Sequence, residues 1–127
     1  MIRNVSFKES ELTIVSSKLG NKNINVHATI IETVFTDQYV IIRLRGKDLA
    51  NSEYHNRNIL CFKENGSVMW RIANQDKMSP SKEKTNYFYS SLELKNGDVV
   101  KVGTTLGMEV DVNIRTGEFV SDWTFTK

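Results

Sequence analysis

A chain of 127 residues, 39% apolar and 25% charged, has the size of one domain and a globular balance rather than a disordered one. Its formal net charge of +2 is too small to point by itself to nucleic acid or a membrane, and its one cysteine, Cys61, excludes an intrachain disulfide and a cysteine metal cluster. Met1–Ser6 has no apolar signal core and no apolar run approaches the ~20 residues that span a bilayer, so the expected location is the cytosol.

Helical periodicity is nearly absent, and apolar residues come in short runs with period two. Ile24, Val26, Ala28 and Ile30 alternate with polar residues, and then Ile31, Thr33 and Phe35 take over the phase. One long strand with a bulge near Ile30-Ile31 accounts for that shift and puts His27 on its polar face. A turn at Thr36-Asp37-Gln38 leads into a strand from Tyr39 to Leu44, with Val40, Ile42 and Leu44 on one face and Arg43 on the other. Residues 46–58 form a polar loop with room for a short helical turn, and residues 73–86, which contain Pro80, form a second.

Three x-Gly pairs, Asn65-Gly66, Asn96-Gly97 and Thr116-Gly117, sit between strand-like runs and read as hairpin turns. Two-residue turns set the register. Around the first, Cys61 faces Trp70, Ile59 faces Ile72 and Phe62 faces Met69. Around the second, Lys95 faces Asp98 as an ion pair and Leu94 faces Val99. Around the third, Ile114 faces Phe119, Arg115 faces Glu118, Val110 faces Trp123 and Met108 faces Phe125. The expected architecture is all-β: an antiparallel meander forming a β-sandwich or half-barrel with little helix, in a single domain over residues 1–127. The segments Phe62–Trp70 and Asn113–Trp123 echo each other, but the chain is too short to close a propeller of four or more blades.

No catalytic constellation stands out: no P-loop, GxSxG, HExxH or EF-hand loop is present. His27 and His55 have no ligand spacing, and Cys61 should point into the core at Trp70. The expectation is therefore a protein that is not an enzyme and needs no cofactor or metal. Charge is uneven along the chain. Residues 1–92 carry +4 (13 Lys and Arg against 9 Asp and Glu), and residues 93–127 carry −2 (4 against 6). In the register of the third hairpin, Glu109, Asp111, Glu118 and Asp122 share the solvent face, with Asp111 opposite Asp122 and Glu109 diagonal to it. Like charges opposed in a sheet destabilise the pair, so a neighbouring cation such as Arg115 or Lys101, or a cationic partner, should offset them. A competing surface holds Tyr39, Arg43 and Arg45, with Arg57, Lys63 and Arg71 around the first hairpin. An aromatic among basic residues on a sheet suits single-stranded nucleic acid, although no RNP-like or OB-type aromatic pattern appears.

Asn56, Arg57, Asn58, Ile59, Asn65, Gly66 and Trp70 form one recurring pattern, followed by a polar loop with Pro80. Gly107, Val110, Asp111, Thr116, Gly117, Phe125, Thr126 and Lys127 form a second. Together, over the C-terminal two-thirds of the chain, they resemble immunity proteins of contact-dependent growth inhibition and related polymorphic toxin systems. That resemblance implies a cytosolic antidote that binds a cognate protein toxin domain, often a nuclease, and it carries no interface residues with it. From the residues alone, the candidate partner-binding set is Glu109, Asp111, Glu118 and Asp122 for charge, with Tyr54 and Arg57 as anchors, the residue types that dominate interface energetics. An exposed edge strand leaves a homodimer open as well.

Overall fold

The computed structural model describes residues 1–49, 52–54, 56–73 and 88–125. Eleven strands in those residues form three antiparallel sheets, each built from strands consecutive in sequence. The first sheet holds β1 (Ile2–Lys8), β2 (Glu11–Ser16) and β3 (Gly20–Asn25). The second holds β4 (Ile30–Phe35), β5 (Tyr39–Leu44), β6 (Ile59–Lys63) and β7 (Val68–Arg71). The third holds β8 (Tyr89–Leu94), β9 (Val99–Thr104), β10 (Met108–Asn113) and the two-residue β11 (Thr124–Phe125). The only helical element among the described residues is a 3₁₀ turn at Gly46–Leu49. No helix among them is long and apolar enough to cross a membrane. The all-β antiparallel meander with little helix is what the sequence pattern leads one to expect.

The sheets stack face to face in three layers, and the second sheet is the middle one. Its β5 reads Val-Ile-Ile because both of its faces are covered: Val40, Ile41 and Ile42 are all fully buried. Val40, Ile42, Leu44, Leu60 and Phe62 pack on Ile2, Leu12 and Ile14 of the first sheet. Ile41, Ile59, Cys61 and Trp70 pack on Tyr89, Val100, Val102, Val110, Val112 and Ile114 of the third sheet and the turn after it. The first sheet turns the other way round: Leu12 and Ile14 point inward, while Thr13 pairs with Asn23 and Glu11 with Asn25 on the outside. That polar outer face closes the stack at one end, as a capping layer must. The sheets approach most closely along their first strands, with β1 beside β4 and β4 beside β8.

Two buried side chains lock the second sheet to the third. Asn58 donates from Nδ2 to the carbonyls of Leu44 and Tyr89, both at 2.8 Å, and its Oδ1 accepts from the Tyr89 N–H at 2.9 Å. Trp70 donates from Nε1 to the Ile114 carbonyl at 2.6 Å. Its ring lies so close to Gly117 that a Cβ there would sit 2.7 Å from it, and Gly117 also has φ +77°. The two echoing segments are thus third-to-fourth-strand hairpins of successive sheets, and Trp70 and Trp123 enter the same interface from opposite sides.

Several local expectations are corrected. The long strand from Ile24 to Phe35 is two strands, broken at 26–29, where His27 adopts φ 60° and its N–H is held by Asn25 Oδ1. His27 therefore lies in a bend, although the bulge at Ile31 is present as a register skip between Ile30 and Glu32. The first hairpin keeps Cys61 opposite Trp70, but Phe62 faces Val68, not Met69. In the second, Leu94 faces Val100, and Lys95 does not pair with Asp98. In the third, Phe119 faces Val112 instead of Ile114, and the Asn113 N–H donates to the Glu118 carbonyl. One cause serves all three turns. The side-chain oxygens of Asn65, Asn96 and Asn113 each accept a backbone N–H two residues on, which builds a wider Asx turn in place of a two-residue one. Register recovers at Met108 and Phe125, but Phe125 is 77% exposed. The polar loop expected at 73–86 lies, apart from Ala73, outside the described residues, as do His55, Thr126 and Lys127.

Candidate functional site

The loop after β5 is built from successive turns. Gly46 fits flat against the Phe88 ring, where a Cβ would meet the ring at 2.5 Å. Asp48 caps the start: its Oδ2 accepts the Thr29 N–H at 2.7 Å and its Oδ1 holds the Arg45 guanidinium. Those contacts, the Thr29 N–H first, hold the Asp48 carboxyl below its ordinary value. Ser52 then bonds the Leu49 carbonyl and accepts the Tyr54 N–H, and the Arg57 N–H donates to the Tyr54 carbonyl. Asn56, buried at φ 69°, turns the chain back into β6.

This loop delivers Tyr54 and Arg57 to the end of β7, where a third residue joins them. The Arg71 guanidinium carbon lies 4.0 Å from the centroid of the Tyr54 ring, and that of Arg57 lies 6.0 Å from it. The two arginines are cross-tied. Arg57 Nε–H donates to the Ile72 carbonyl at 2.9 Å, and Arg71 Nε–H donates to the Arg57 carbonyl at 2.7 Å. Each guanidinium is thereby fixed by its inner nitrogen, and among the described residues neither forms an ion pair. Burial lowers the Arg71 pKa, as does the like charge of Arg57, while Tyr54 and Glu53 act the other way. Tyr54 itself is exposed. Sequence reasoning names Tyr54 and Arg57 but not Arg71 as part of this set. The signal was in the hairpin register: Leu60 opposite Arg71 places residue 57 just past the end of β7.

The carboxylates fare differently. Glu109, Asp111 and Asp122 line one shallow cleft of about 250 Å³ on the outer face of the third sheet, together with Lys95, Lys101 and Ser121. Lys95 Nζ holds Asp111 at 2.9 Å and Lys101 Nζ lies 3.9 Å from Glu109. Asp111 does not face Asp122 directly: its N–H donates to Ser121 Oγ and its carbonyl accepts the Val120 N–H. Glu118 sits apart at the turn, exposed, and Asp122 is exposed with no ion pair among the described residues. The like-charge conflict is thus relieved from within the sheet, by Lys101, as anticipated, and by Lys95.

On the competing basic surface, Arg43 is bound by Glu32 across the strand pair and Arg45 by Asp48, while Tyr39 packs against the core. Cys61 is fully buried, and burial pushes its thiol up to about 12, far from a reactive thiolate. Among the described residues no group of His, Cys, Asp and Glu could hold a metal ion.

The family model described as "Domain of unknown function (DUF7957)" matches residues 2–123. No curated protein matches the chain. Among solved structures, the fold is similar to the computationally designed Ika8 protein, with a TM-score of 0.52 at 10% identity over 94% of this chain. The chain covers 35% of that designed protein's length, about a third of it.

Proposed function

The chain belongs to the DUF7957 family, and from that footing we propose that it is an immunity protein: a cytosolic binding module that neutralises a cognate toxin domain by occlusion, without catalysis of its own. The observation that carries this reading is the exposed Tyr54 ring held against the Arg71 and Arg57 guanidiniums. Aromatic and arginine side chains fixed in place before contact are what an interface hot spot requires, because little ordering remains to be done on binding. The patterns that resemble toxin antidotes support it too. Asn56 and Asn58 shape and anchor this corner, and Gly66, Trp70 and Gly117 hold the hairpins beneath it. Exposed Glu118 and Asp122 provide a second, negatively charged contact, while Glu109 and Asp111 contribute less because lysines already hold them.

The test is co-expression with the toxin domains encoded in the gene's neighbourhood. Restored growth and a stable complex on gel filtration are expected. Growth arrest that the chain fails to relieve overturns the reading.

A further inference from the structure

Two positive groups lie beside one another, half-buried and in no ion pair among the described residues, and although the charge of Glu53 acts on Arg71, the arrangement costs free energy in the free protein. Their inner nitrogens are committed to the Ile72 and Arg57 carbonyls, which leaves the terminal nitrogens as paired donors. Such a fork matches the two oxygens of a carboxylate or a phosphate. The strand that carries Arg71 settles between these anions. Among the described residues β7 has a single hydrogen-bonded neighbour, β6, and its other edge carries no strand, which lets it receive an added one. Beside Arg71 on that strand, Val68 is 55% and Met69 37% exposed. Apolar side chains along an open strand edge suit a peptide. A nucleic acid strand would need a track of cations, and Arg43 and Arg45, on and just beyond β5 of the same sheet, already hold Glu32 and Asp48.

We propose that the Arg57–Tyr54–Arg71 corner and the open edge of β7 together form a binding site for an extended acidic peptide segment, whose carboxylates dock on the two guanidiniums. This rests on the antidote reading in one respect only, in that the segment belongs to the toxin domain. Tyr54 acts as the spacer that holds the guanidiniums apart and presents them outward, and Val68 and Met69 receive apolar side chains of the added strand.

The experiment is fluorescence anisotropy with the full chain and two labelled probes: a short peptide alternating Glu with Val, and a single-stranded DNA oligonucleotide of similar length. The peptide should bind, and the double variant R57Q/R71Q should weaken it by at least about tenfold, the order expected for losing charge-assisted bidentate contacts. Because those changes also remove two backbone ties, Val68→Asp serves as a second variant. It leaves the arginines and the core alone, and its charge should repel the acidic probe while the urea midpoint stays put. No binding of the peptide, equal binding by wild type and R57Q/R71Q, or tighter binding of the oligonucleotide through the same arginines would each overturn the site. The two readings separate cleanly. A toxin complex that forms while the acidic peptide is ignored removes the site and leaves the antidote. Peptide binding that depends on both arginines, with no toxin taken up, removes the antidote and leaves the site.

Discussion

The outer face of the third sheet and the loop corner of the second pose the same electrostatic problem and solve it in opposite ways. On the third sheet, Glu109 and Asp111 crowd together, yet Lys101 and Lys95 stand beside them at 3.9 and 2.9 Å. At the corner, Arg57 and Arg71 crowd together, and what touches them is a tyrosine ring and two backbone carbonyls, with Glu53 acting on Arg71 without forming an ion pair. In sequence the first cluster is conspicuous and the second is not, since its arginines lie fourteen positions apart. Charge density along a chain thus does not reveal which charges the fold has already balanced. A surface pair closed by its own counter-ion is worth little and asks for nothing, whereas a rigid like-charged pair with no direct ion pair keeps donors that a ligand can satisfy.

The comparison breaks most completely if the corner loses its footing. Asn58 is fully buried and satisfies three backbone groups across two sheets. Asn58→Ala leaves them without those partners and should cost about 3 kcal/mol of stability, by the penalty for orphaned buried polar groups. Chemical denaturation monitored by tryptophan fluorescence would read it, and partner binding should fall with it. Next in size, Arg71→Gln should weaken partner binding by about 2 kcal/mol, the hot-spot scale, with a smaller loss of stability. Calorimetric titration of the partner should read that loss, and with Asp111→Asn it should show a change below about 1 kcal/mol, because that carboxylate belongs to a partly exposed pair already closed by Lys95. If Asp111→Asn proves the costlier of the two, the acidic face is the interface and the ranking of the regions reverses.

The parts of this molecule that sequence reveals are those where one rule acts alone. The Val40, Ile42 and Leu44 face of β5 and the Cys61–Trp70 rung follow from burial and period two, and both are as expected, whereas Ile41, on the face with Arg43, is buried against the third sheet. The turns miss by a residue or two because an asparagine side chain competes with the backbone for the same N–H, and an Asn-Gly pair does not announce which will win. The first sheet escapes notice because Asn21, Asn23 and Asn25 line its outer face, and a capping layer reads as polar loop. Phe125 misleads for the opposite reason. Its register is right, but register says nothing about whether another layer covers the strand. As for the corner, Tyr54 and Arg57 are visible as residue types, and Arg71 is reachable by extending the hairpin register. That both arginines would spend their Nε–H on carbonyls, and so hold still, depends on the conformation of the 52–58 loop, which no periodicity encodes.

The smallest effect expected is in acid, and it separates the corner's support from its chemistry. Asp48, at the start of the loop that carries Tyr54, is held below its ordinary value by the Thr29 N–H and by Arg45. Glu64 is held down by the Ser16 hydroxyl and the Met1 ammonium where the first two sheets meet. A carboxyl depressed in the folded state contributes its full stability above its unfolded value, here near 3.8 for Asp48 and 4.5 for Glu64, and loses it as pH falls through the folded one. Stability should therefore hold from neutral pH down to about those values and decline below them. Asp48→Asn should flatten that decline, and Glu64→Gln should do so independently, since the two sit on different contacts. The difference in urea midpoint between wild type and Asp48→Asn, followed from pH 7 to pH 3, then reports on the loop's anchor, and an acid limb unchanged in Asp48→Asn would show that the loop stands without Thr29 and Arg45 holding its first turn.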